Sequence, residues 1–342
     1  MRVKAATIAA GLGLFRATGL HHAMRAGGCG VILMFHHVRP WVERAFAPNR
    51  ALEITPDFLD ALLARVAQSH DIVSLDEGLA RLAAPRGRRF AVLTFDDGYR
   101  DFADFAWPVL RRHAAPFTLF VTSGFADGTA QPWWIALEAA IAAQDVITIT
   151  LGERTHRLAA HTTMAKARTY RTLFPWLRAR PAAERDAALR ALGGGGFAAA
   201  ASLCMGWPML RTLAADPLCA LGAHTITHPA LTQLSDHEAA HELEASRCRI
   251  AAETGVQPRA LAYPFGDSAA AGPREFALAA SRGFSAALTT RPGLLYPVHA
   301  AYRAALPRLA VDGRWATLDA FDVLLSGAPT WVWNGGRRLN VT

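Results

Sequence analysis

Residues 90–101, FAVLTFDDGYRD, place two adjacent carboxylates at the end of an apolar run. The apolar residues 90–93 are typical of a buried strand, and Gly98 follows Asp96 and Asp97 at once. Because side chains alternate along a strand, neighbouring carboxylates that leave it can point in different directions, one to a metal ion and one to a substrate. An Asp-Asp-Gly turn without chemistry is at least as plausible from composition alone. A second signal is needed to decide between the two readings.

Short apolar, β-branched or aromatic runs recur between helical stretches along the chain. The eight strand candidates are Val31–Phe35, Asp71–Leu75, Phe90–Phe95, Phe117–Thr122, Leu218–Ala223, Ala260–Tyr263, Phe284–Thr289 and Leu306–Val311. Strands that alternate with helices predict an α/β fold, with a parallel sheet closed into a barrel over residues 31–325. Residues from about 127 to 205 are too long for a simple connection, so a helical insertion over the barrel mouth is expected there. Residues 326–342 are interpreted as a C-terminal tail.

The N-terminal residues 1–30 have a basic start and an apolar stretch, but the stretch is too short to span a bilayer and no signal-peptide cleavage site follows. Residues 5–25 are predicted to form an amphipathic helix with Arg16 and Arg25 on its polar side. That helix either packs on the domain or makes a peripheral membrane contact. We expect a packed helix and a cytoplasmic protein, with a membrane-associated or exported protein as the alternative.

The chain is basic, with 36 Lys and Arg against 28 Asp and Glu and a net charge of +8. Such a balance can attract nucleic acid, anionic lipid or an acidic substrate. The basic residues are scattered, however, and no stretch interleaves aromatic residues with a basic stripe. A nucleic-acid partner is therefore not expected.

The stretch HTITHPAL, residues 224–231, places His224 and His228 four positions apart after a strand candidate. Imidazoles at this spacing suit one divalent cation, although alone the pair is more often a coincidence than a metal site. Pro229 argues for a tight turn, because the residue before proline avoids the α region. With a carboxylate from the Asp-Asp pair, the two imidazoles form a facial triad with open positions for water and substrate. The other aspartate is then free for proton transfer.

Two more strand ends carry candidate chemistry. The stretch AYPFG, residues 262–266, turns sharply, and a backbone N–H exposed there would face a developing oxyanion, although a structural turn is the stronger reading of the segment alone. The stretch LMFHHV, residues 33–38, ends the first strand candidate with His36 and His37. A buried structural histidine is the usual interpretation, and a general acid near neutral pH is the alternative.

Three motifs in this order resemble those of polysaccharide deacetylases of the NodB-homology type, carbohydrate esterase family 4, including chitooligosaccharide deacetylases. They are TFDDG at residues 94–98, HTxxH at residues 224–228 and PFG at residues 264–266. The resemblance extends from residue 31 to about residue 311, apart from much of the insertion. It implies a distorted (β/α) barrel of the NodB type and one divalent metal ion, often zinc, for removing acetyl groups from N-acetylated sugars.

The same resemblance implies roles for individual residues. Asp97, His224 and His228 would be the metal ligands, and Asp96 would be the base that activates the attacking water. The backbone N–H of Phe265 would help to hold the tetrahedral oxyanion.

Two departures from the family pattern lead to two further predictions. The late Leu-x-His motif reads LPR at residues 306–308, without a histidine. A subgroup of the family instead carries its acid histidine at an N-terminal strand end, so we predict His36 as the acid with His37 as the fallback. Ala262 stands where many members have an arginine that pairs with the catalytic aspartate. We hypothesise that Arg308 takes over this pairing and keeps Asp96 ionised.

The expected function is that of a metal-dependent hydrolase that deacetylates oligo- or polysaccharides of the N-acetylglucosamine type, such as a surface or exported glycan. Trp133, Trp134 and Trp207 would stack on sugar rings unless they belong to the core. One alternative is the same chemistry on a small amide or an O-acetyl ester. Another is a catalytically silent barrel that binds glycan, which the missing late histidine and Ala262 make plausible.

Overall fold

The protein is described from a computed structural model that covers residues 27–151, 153–193, 202–311 and 316–341, together with residues 13, 18, 200 and 313. Its centre is a sheet of eight parallel strands. Four further short strands lie outside this sheet. In chain order the strands are β1 (Gly30–Phe35), β2 (His37–Val38), β3 (Glu53–Ile54), β4 (His70–Ile72), β5 (Arg89–Phe95), β6 (Phe117–Val121), β7 (Val146–Leu151), β8 (Arg154–Ala159), β9 (Cys219–Ala223), β10 (Ala260–Ala262), β11 (Ala286–Pro292) and β12 (Leu306–Ala310).

The sheet closes into a seven-stranded barrel because β1 pairs with both β12 and β5. The first half of β5 pairs with β4 and its second half with β6 on the same side. The strand β4 therefore lies outside the closed ring, although all eight predicted strands belong to the sheet. This split pairing accounts for the distortion of the barrel. The predicted fold class, an α/β barrel of the NodB type, is confirmed.

Helices surround the barrel and bury their apolar faces against it. In chain order they are α1 (Pro56–Ser69), α2 (Leu75–Ala83), α3 (Trp107–Arg112), α4 (Ser123–Asp127), α5 (Trp133–Ala142), α6 (Thr163–Arg178), α7 (Ala182–Leu192), α8 (Trp207–Ala214), α9 (Asp236–Thr254), α10 (Pro273–Ser281), α11 (Leu318–Leu325) and α12 (Ala328–Trp333). A π-helical turn at Phe102–Ala106 precedes α3. The Ser235 side chain begins α9 through a capping box with Glu238, and Gly255 ends the helix in the left-handed conformation, as these residue types favour.

Alternation along the strands decides which side chains enter the barrel. On β5, Val92 points inward, and the same parity directs Thr94 and Asp96 to the upper end of the barrel. On β12, Leu306 points inward, so Arg308 does as well. Arg308 is fully buried. Strand parity thus brings a carboxylate and a guanidinium from opposite ends of the sequence into one interior.

The predicted insertion is present, but it is not purely helical. Between α5 and α6 the chain forms the antiparallel hairpin β7–β8, in which Ile147 and Ile149 are buried and their neighbours are exposed. This period-two pattern marks a half-buried strand, and the sequence analysis passed over it. The helices and hairpin share an apolar cluster of their own, centred on Trp133 and Leu173. The insertion therefore has a small hydrophobic core of its own, which lies over the barrel.

The structure describes the two ends of the chain to different extents. The segment predicted as a C-terminal tail, residues 326–342, contains α12, which contacts α11. The amphipathic helix predicted for residues 5–25 lies outside the described residues, apart from residues 13 and 18. Within the described part of the chain, every helix is too short or too polar to span a bilayer.

Candidate metal centre and active site

Asp97, His224 and His228 meet at the upper end of the barrel. The Nε2 atoms of both histidines lie 3.3 Å from Oδ1 of Asp97. One ligand atom from each residue lies within 4.8 Å of the others, and all three side chains are buried. Among the described residues, Asp97 Oδ1 has no hydrogen-bond partner. A buried carboxylate oxygen without a donor and two converging imidazole nitrogens form a donor set for one cation.

The hydrogen bonding and charge of the two imidazoles suit metal coordination. His224 Nδ1 lies 2.7 Å from the carbonyl oxygen of Ala262, which only accepts, so Nδ1 carries a proton and Nε2 is the atom that faces Asp97. Burial lowers the pKa of His228 to about 4, so this ring is neutral at neutral pH, as a ligand must be. Burial alone would lower the pKa of His224, but the carboxylates of Asp97 and Asp96 outweigh it and raise that pKa, so a cation bound here would displace a proton from Nε2.

The ligand turns have unusual backbone conformations. Asp97, Thr225 and His228 have φ angles of 73°, 65° and 56°, a region that non-glycine residues adopt rarely. No helix forms from residue 224 to 230, in agreement with the tight turn predicted from Pro229. Strained backbone that the surrounding fold maintains is concentrated at functional sites. The barrel thus holds these side chains in positions that the local sequence alone does not favour.

Asp96 pairs with Arg308 inside the barrel. The guanidinium donates from Nη1 to Oδ1 at 2.8 Å and from Nη2 to Oδ2 at 2.7 Å. The Nε–H of Arg308 also donates to the carbonyl of Thr289 at 2.9 Å, and this hydrogen bond fixes the position of the guanidinium group. Burial alone would raise the pKa of Asp96, but the charge of Arg308 outweighs it and lowers that pKa. Asp96 is therefore an ionised carboxylate close to His224, and the structure contains the pairing hypothesised for Arg308.

His36 and His37 have different environments. His37 is buried in β2, where its Nδ1 lies 2.7 Å from Asp101 Oδ2 and its ring stacks on Tyr99 at 3.7 Å between centroids. His36 is partly exposed and lies close enough to Asp96 and Asp97 to feel both charges. Burial lowers the pKa of His36, and the two carboxylates oppose this shift. His36 thus lies within electrostatic range of both carboxylates, whereas His37 is engaged by Asp101 and Tyr99.

Phe265 lies in a turn that the insertion holds from above. Its φ angle is 59°, and its ring lies 4.8 Å from that of His228. Arg178 from α6 lies over the Phe265 ring, with 4.4 Å from Cζ to the centroid, and forms a bidentate ion pair with Asp267 at 2.9 and 2.6 Å. No hydrogen bond among the described residues uses the Phe265 N–H. The predicted oxyanion donor is thus available beside the metal site.

More than half of the chain matches the model of one protein family. The family model of polysaccharide deacetylases matches residues 83–279. The chain belongs to the polysaccharide deacetylase family. The matched segment contains Asp96 and the metal triad, whereas His36 and Arg308 lie outside it. Membership places the protein among hydrolases that act on amide bonds. No curated protein sequence matches the chain.

Solved deacetylase structures share the fold. The deacetylase PplD from Streptococcus pyogenes, in complex with acetate, has 18% sequence identity and a TM-score of 0.54, and the match covers 87% of this chain and 98% of PplD. IcaB from Ammonifex degensii has 19% identity and a TM-score of 0.55, and the match covers 89% of this chain and 98% of IcaB. A de-N-acetylase from Aggregatibacter actinomycetemcomitans has 13% identity and a TM-score of 0.55, with coverages of 86% and 99%.

Sequence reasoning missed two residues that support the metal site of this polysaccharide deacetylase. Glu242 on α9 accepts hydrogen bonds from the N–H groups of Ile226 and Thr227 at 2.7 and 3.0 Å, and so holds the turn between the two histidines. Tyr99 is fully buried beside Asp97, and its hydroxyl accepts a hydrogen bond from Trp134 at 3.2 Å. Glu242 belongs to no recognisable motif, because it acts on a turn 15 and 16 residues away, whereas Tyr99 directly follows the Asp-Asp-Gly stretch and was not assigned a role.

The three tryptophans considered as sugar platforms belong to the core of this polysaccharide deacetylase. Trp133 and Trp134 are 0% and 4% exposed, and Trp207 is 8% exposed with its indole N–H bound to Asp127 at 2.7 Å. Trp134 packs on His228, with 4.6 Å between ring centroids. Trp134 attaches the insertion to the site, and none of the three buried tryptophans can stack on a sugar.

Proposed function

We propose that this protein is a metal-dependent deacetylase that hydrolyses the N-acetyl amide of N-acetylglucosamine-type units in an oligo- or polysaccharide. One observation carries the proposal: the buried triad Asp97, His224 and His228 adjoins an Asp96 carboxylate that Arg308 keeps ionised. The family of the chain acts on polysaccharides, which supports the substrate class.

The three triad residues would hold one divalent cation, and the donor set of two nitrogens and one carboxylate oxygen suits zinc. A bound cation of this kind polarises an amide carbonyl and lowers the pKa of water. The neutral His228 and the ionised Asp97 are in the protonation states that such binding requires.

Asp96 then accepts a proton from the attacking water, because its carboxylate is ionised and lies beside the triad. The Phe265 N–H donates to the oxygen that becomes negatively charged as the carbonyl carbon turns tetrahedral. His36 donates a proton to the amine nitrogen, without which the carbon–nitrogen bond does not break at a useful rate. The insertion covers the site and limits the access of bulk water.

The test is acetate release from N-acetylglucosamine oligomers by purified protein that has been treated with EDTA and then reloaded with Zn²⁺, Co²⁺ or Mn²⁺. We expect no acetate after EDTA and recovered turnover after reloading. Release from a 4-nitrophenyl acetate ester but not from the oligomers would assign an esterase instead. Absence of acetate with every metal, together with retained oligomer binding, would show a silent glycan-binding barrel.

A further inference from the structure

One tryptophan at the rim of the barrel is exposed, although indole rings are usually buried. Trp41 lies in the loop between β2 and β3 and is 56% exposed. The neighbouring Val42 is 60% exposed. Trp41 and Val42 together form an exposed apolar patch with the polar residues Glu43 and Arg50 at its edge, and patches of this kind mark binding sites.

The ring of Trp41 is held in a defined orientation. The guanidinium of Arg50 covers one face, with Cζ 3.9 Å from the ring centroid. The indole N–H donates to Glu43 at 3.2 Å. Arg50 is itself fixed, because it donates to the carbonyl of Val42 at 2.6 Å and to Glu53 at 3.1 Å. One face of the ring is therefore occupied by a cation and the opposite face remains for a ligand.

A hydrogen bond attaches the loop that carries Trp41 to helix α5 of the insertion. Asn49 donates to the carbonyl of Trp134 at 3.3 Å, and Trp134 packs on the metal-site residue His228. Trp41 follows His36 by five residues, so the two Cα atoms are at most about 18 Å apart. A glycan with one N-acetyl group at the metal site and further sugar rings leading out over the rim would pass within reach of Trp41.

We propose that Trp41 forms a sugar-binding subsite in which a pyranose ring of the substrate, remote from the reacting unit, stacks on the open indole face. This inference rests on the proposed function and deepens it, because it makes the enzyme selective for oligomers. The C–H face of a pyranose is apolar and its edge is polar, which matches an aromatic ring with an indole N–H at its rim. Arg50 covers the other face of the indole ring and holds the ring in this orientation.

A lipid surface is the other ligand class that exposed tryptophan can bind, and the charges around Trp41 argue against it. Contact with anionic lipid needs unpaired basic residues near the aromatic ring. The basic residues of this loop are instead paired: Arg39, Arg44 and Arg50 all contact Glu53. Two further carboxylates balance the remaining charge, since Asp101 lies 3.9 Å from Arg39 and Glu138 lies 3.6 Å from Arg44. With three carboxylates for three guanidinium groups, this surface suits an uncharged glycan.

The experiment compares kcat/KM for the β-1,4-linked dimer and hexamer of N-acetylglucosamine in the zinc-loaded wild type and in Trp41→Ala, Trp41→Phe and Trp333→Ala. Trp333 is 61% exposed on α12 and serves as the matched control. We expect Trp41→Ala to lower the hexamer-to-dimer ratio about tenfold, as the loss of one stacking contact does. Trp41→Phe should lower the ratio less, and Trp333→Ala should keep the wild-type ratio. An unchanged ratio in Trp41→Ala would overturn the subsite.

A binding measurement separates this inference from the proposed function. Hexamer affinity is measured by calorimetry in the Asp96→Asn background, with and without Trp41→Ala. Weaker binding after loss of the indole supports the subsite even if no acetate is released in any assay, whereas equal affinity contradicts it. Binding of the wild type to phosphatidylglycerol vesicles that Trp41→Ala abolishes, without any effect on hexamer affinity, would replace the glycan subsite with a membrane contact.

Discussion

Asp96 and Arg308 face each other inside the barrel through two parallel hydrogen bonds of 2.8 and 2.7 Å, although 212 residues separate them in the chain. Arg308 is fully buried and Asp96 nearly so. Removing one member of such a pair leaves a charge without compensation in the interior. The pair therefore supports both the stability of the barrel and the ionised state of Asp96.

The first prediction concerns Arg308→Ala. We expect a loss of about 3–5 kcal/mol in the free energy of unfolding, because a buried carboxylate is left unpaired. Arg308 lowers the pKa of Asp96, so its removal raises that pKa, and the acid limb of kcat/KM moves to higher pH. Denaturant unfolding and pH–rate profiles check both effects. Arg303→Ala, at an exposed arginine nearby, is the control, and an unmoved acid limb in Arg308→Ala would refute the assigned role.

The second prediction concerns metal binding. Saturating Zn²⁺ at about 100 times its dissociation constant should raise the stability of the wild type by about 2.7 kcal/mol. Asp97→Asn and His228→Gln should lose this stabilisation along with turnover, because each removes a ligand from the triad. Thermal unfolding with and without Zn²⁺ measures the effect. His241→Gln, at an exposed histidine on α9, should behave like the wild type, and equal loss in that variant would place the metal elsewhere.

The third prediction separates the two adjacent histidines. His36→Gln should lower kcat by about 10²–10⁴-fold and remove the alkaline limb of the pH profile, because a general acid must be protonated. The ordinary pKa of histidine is 6.5, and burial lowers the pKa of His36 below it. In the metal-free protein, the alkaline limb that depends on His36 therefore begins at a pH below 6.5.

His37→Gln provides the contrast at the neighbouring position. It should destabilise the fold through the contacts of His37 with Asp101 and Tyr99 while keeping the alkaline limb. The comparison needs pH–rate profiles of both variants below their unfolding temperatures. Loss of the alkaline limb in His37→Gln alone would exchange the two roles.

The fourth prediction concerns the ion pair between Arg178 and Asp267 above Phe265. Arg178→Ala should lower kcat about tenfold with little change in KM, because the Phe265 N–H is then less well fixed toward the oxyanion. The charge-reversed double variant Arg178→Asp with Asp267→Arg should recover part of this loss. Steady-state kinetics provide the measurement, with Arg180→Ala as the control. A fall in KM and kcat without recovery in the double variant would point to a general distortion of the insertion.

Local sequence patterns predicted most of the framework. Each predicted strand lies in the sheet within three residues of its expected ends, because apolar runs bounded by turns are a local signal. The capping box at the start of α9 is a local signal as well, since Glu238 follows Ser235 by three residues. The hairpin in the insertion was missed because its alternation from Val146 to Leu151 is short and lies among Ala-rich helical stretches.

Contacts between distant segments were harder to infer. Glu242 holds the ligand turn and Arg178 holds the Phe265 turn, yet both are ordinary residues of helices when only the sequence is considered. Trp41 was not considered as a sugar-binding residue, because Trp133, Trp134 and Trp207 were considered for that role instead. Exposure depends on which segments pack together, and no local pattern encodes it.

The sequence by itself determined the strand-and-helix order of the barrel and the residue types of the metal triad, since both are written in short patterns of apolar, glycine, proline and ligand residues. Only the tertiary structure decided that seven strands close the ring, that His37 contacts Asp101 and Tyr99, and that Arg308 meets Asp96. These outcomes depend on strand register and on packing across the whole chain. Such long-range geometry follows from the sum of many weak contacts, which no short stretch of sequence specifies.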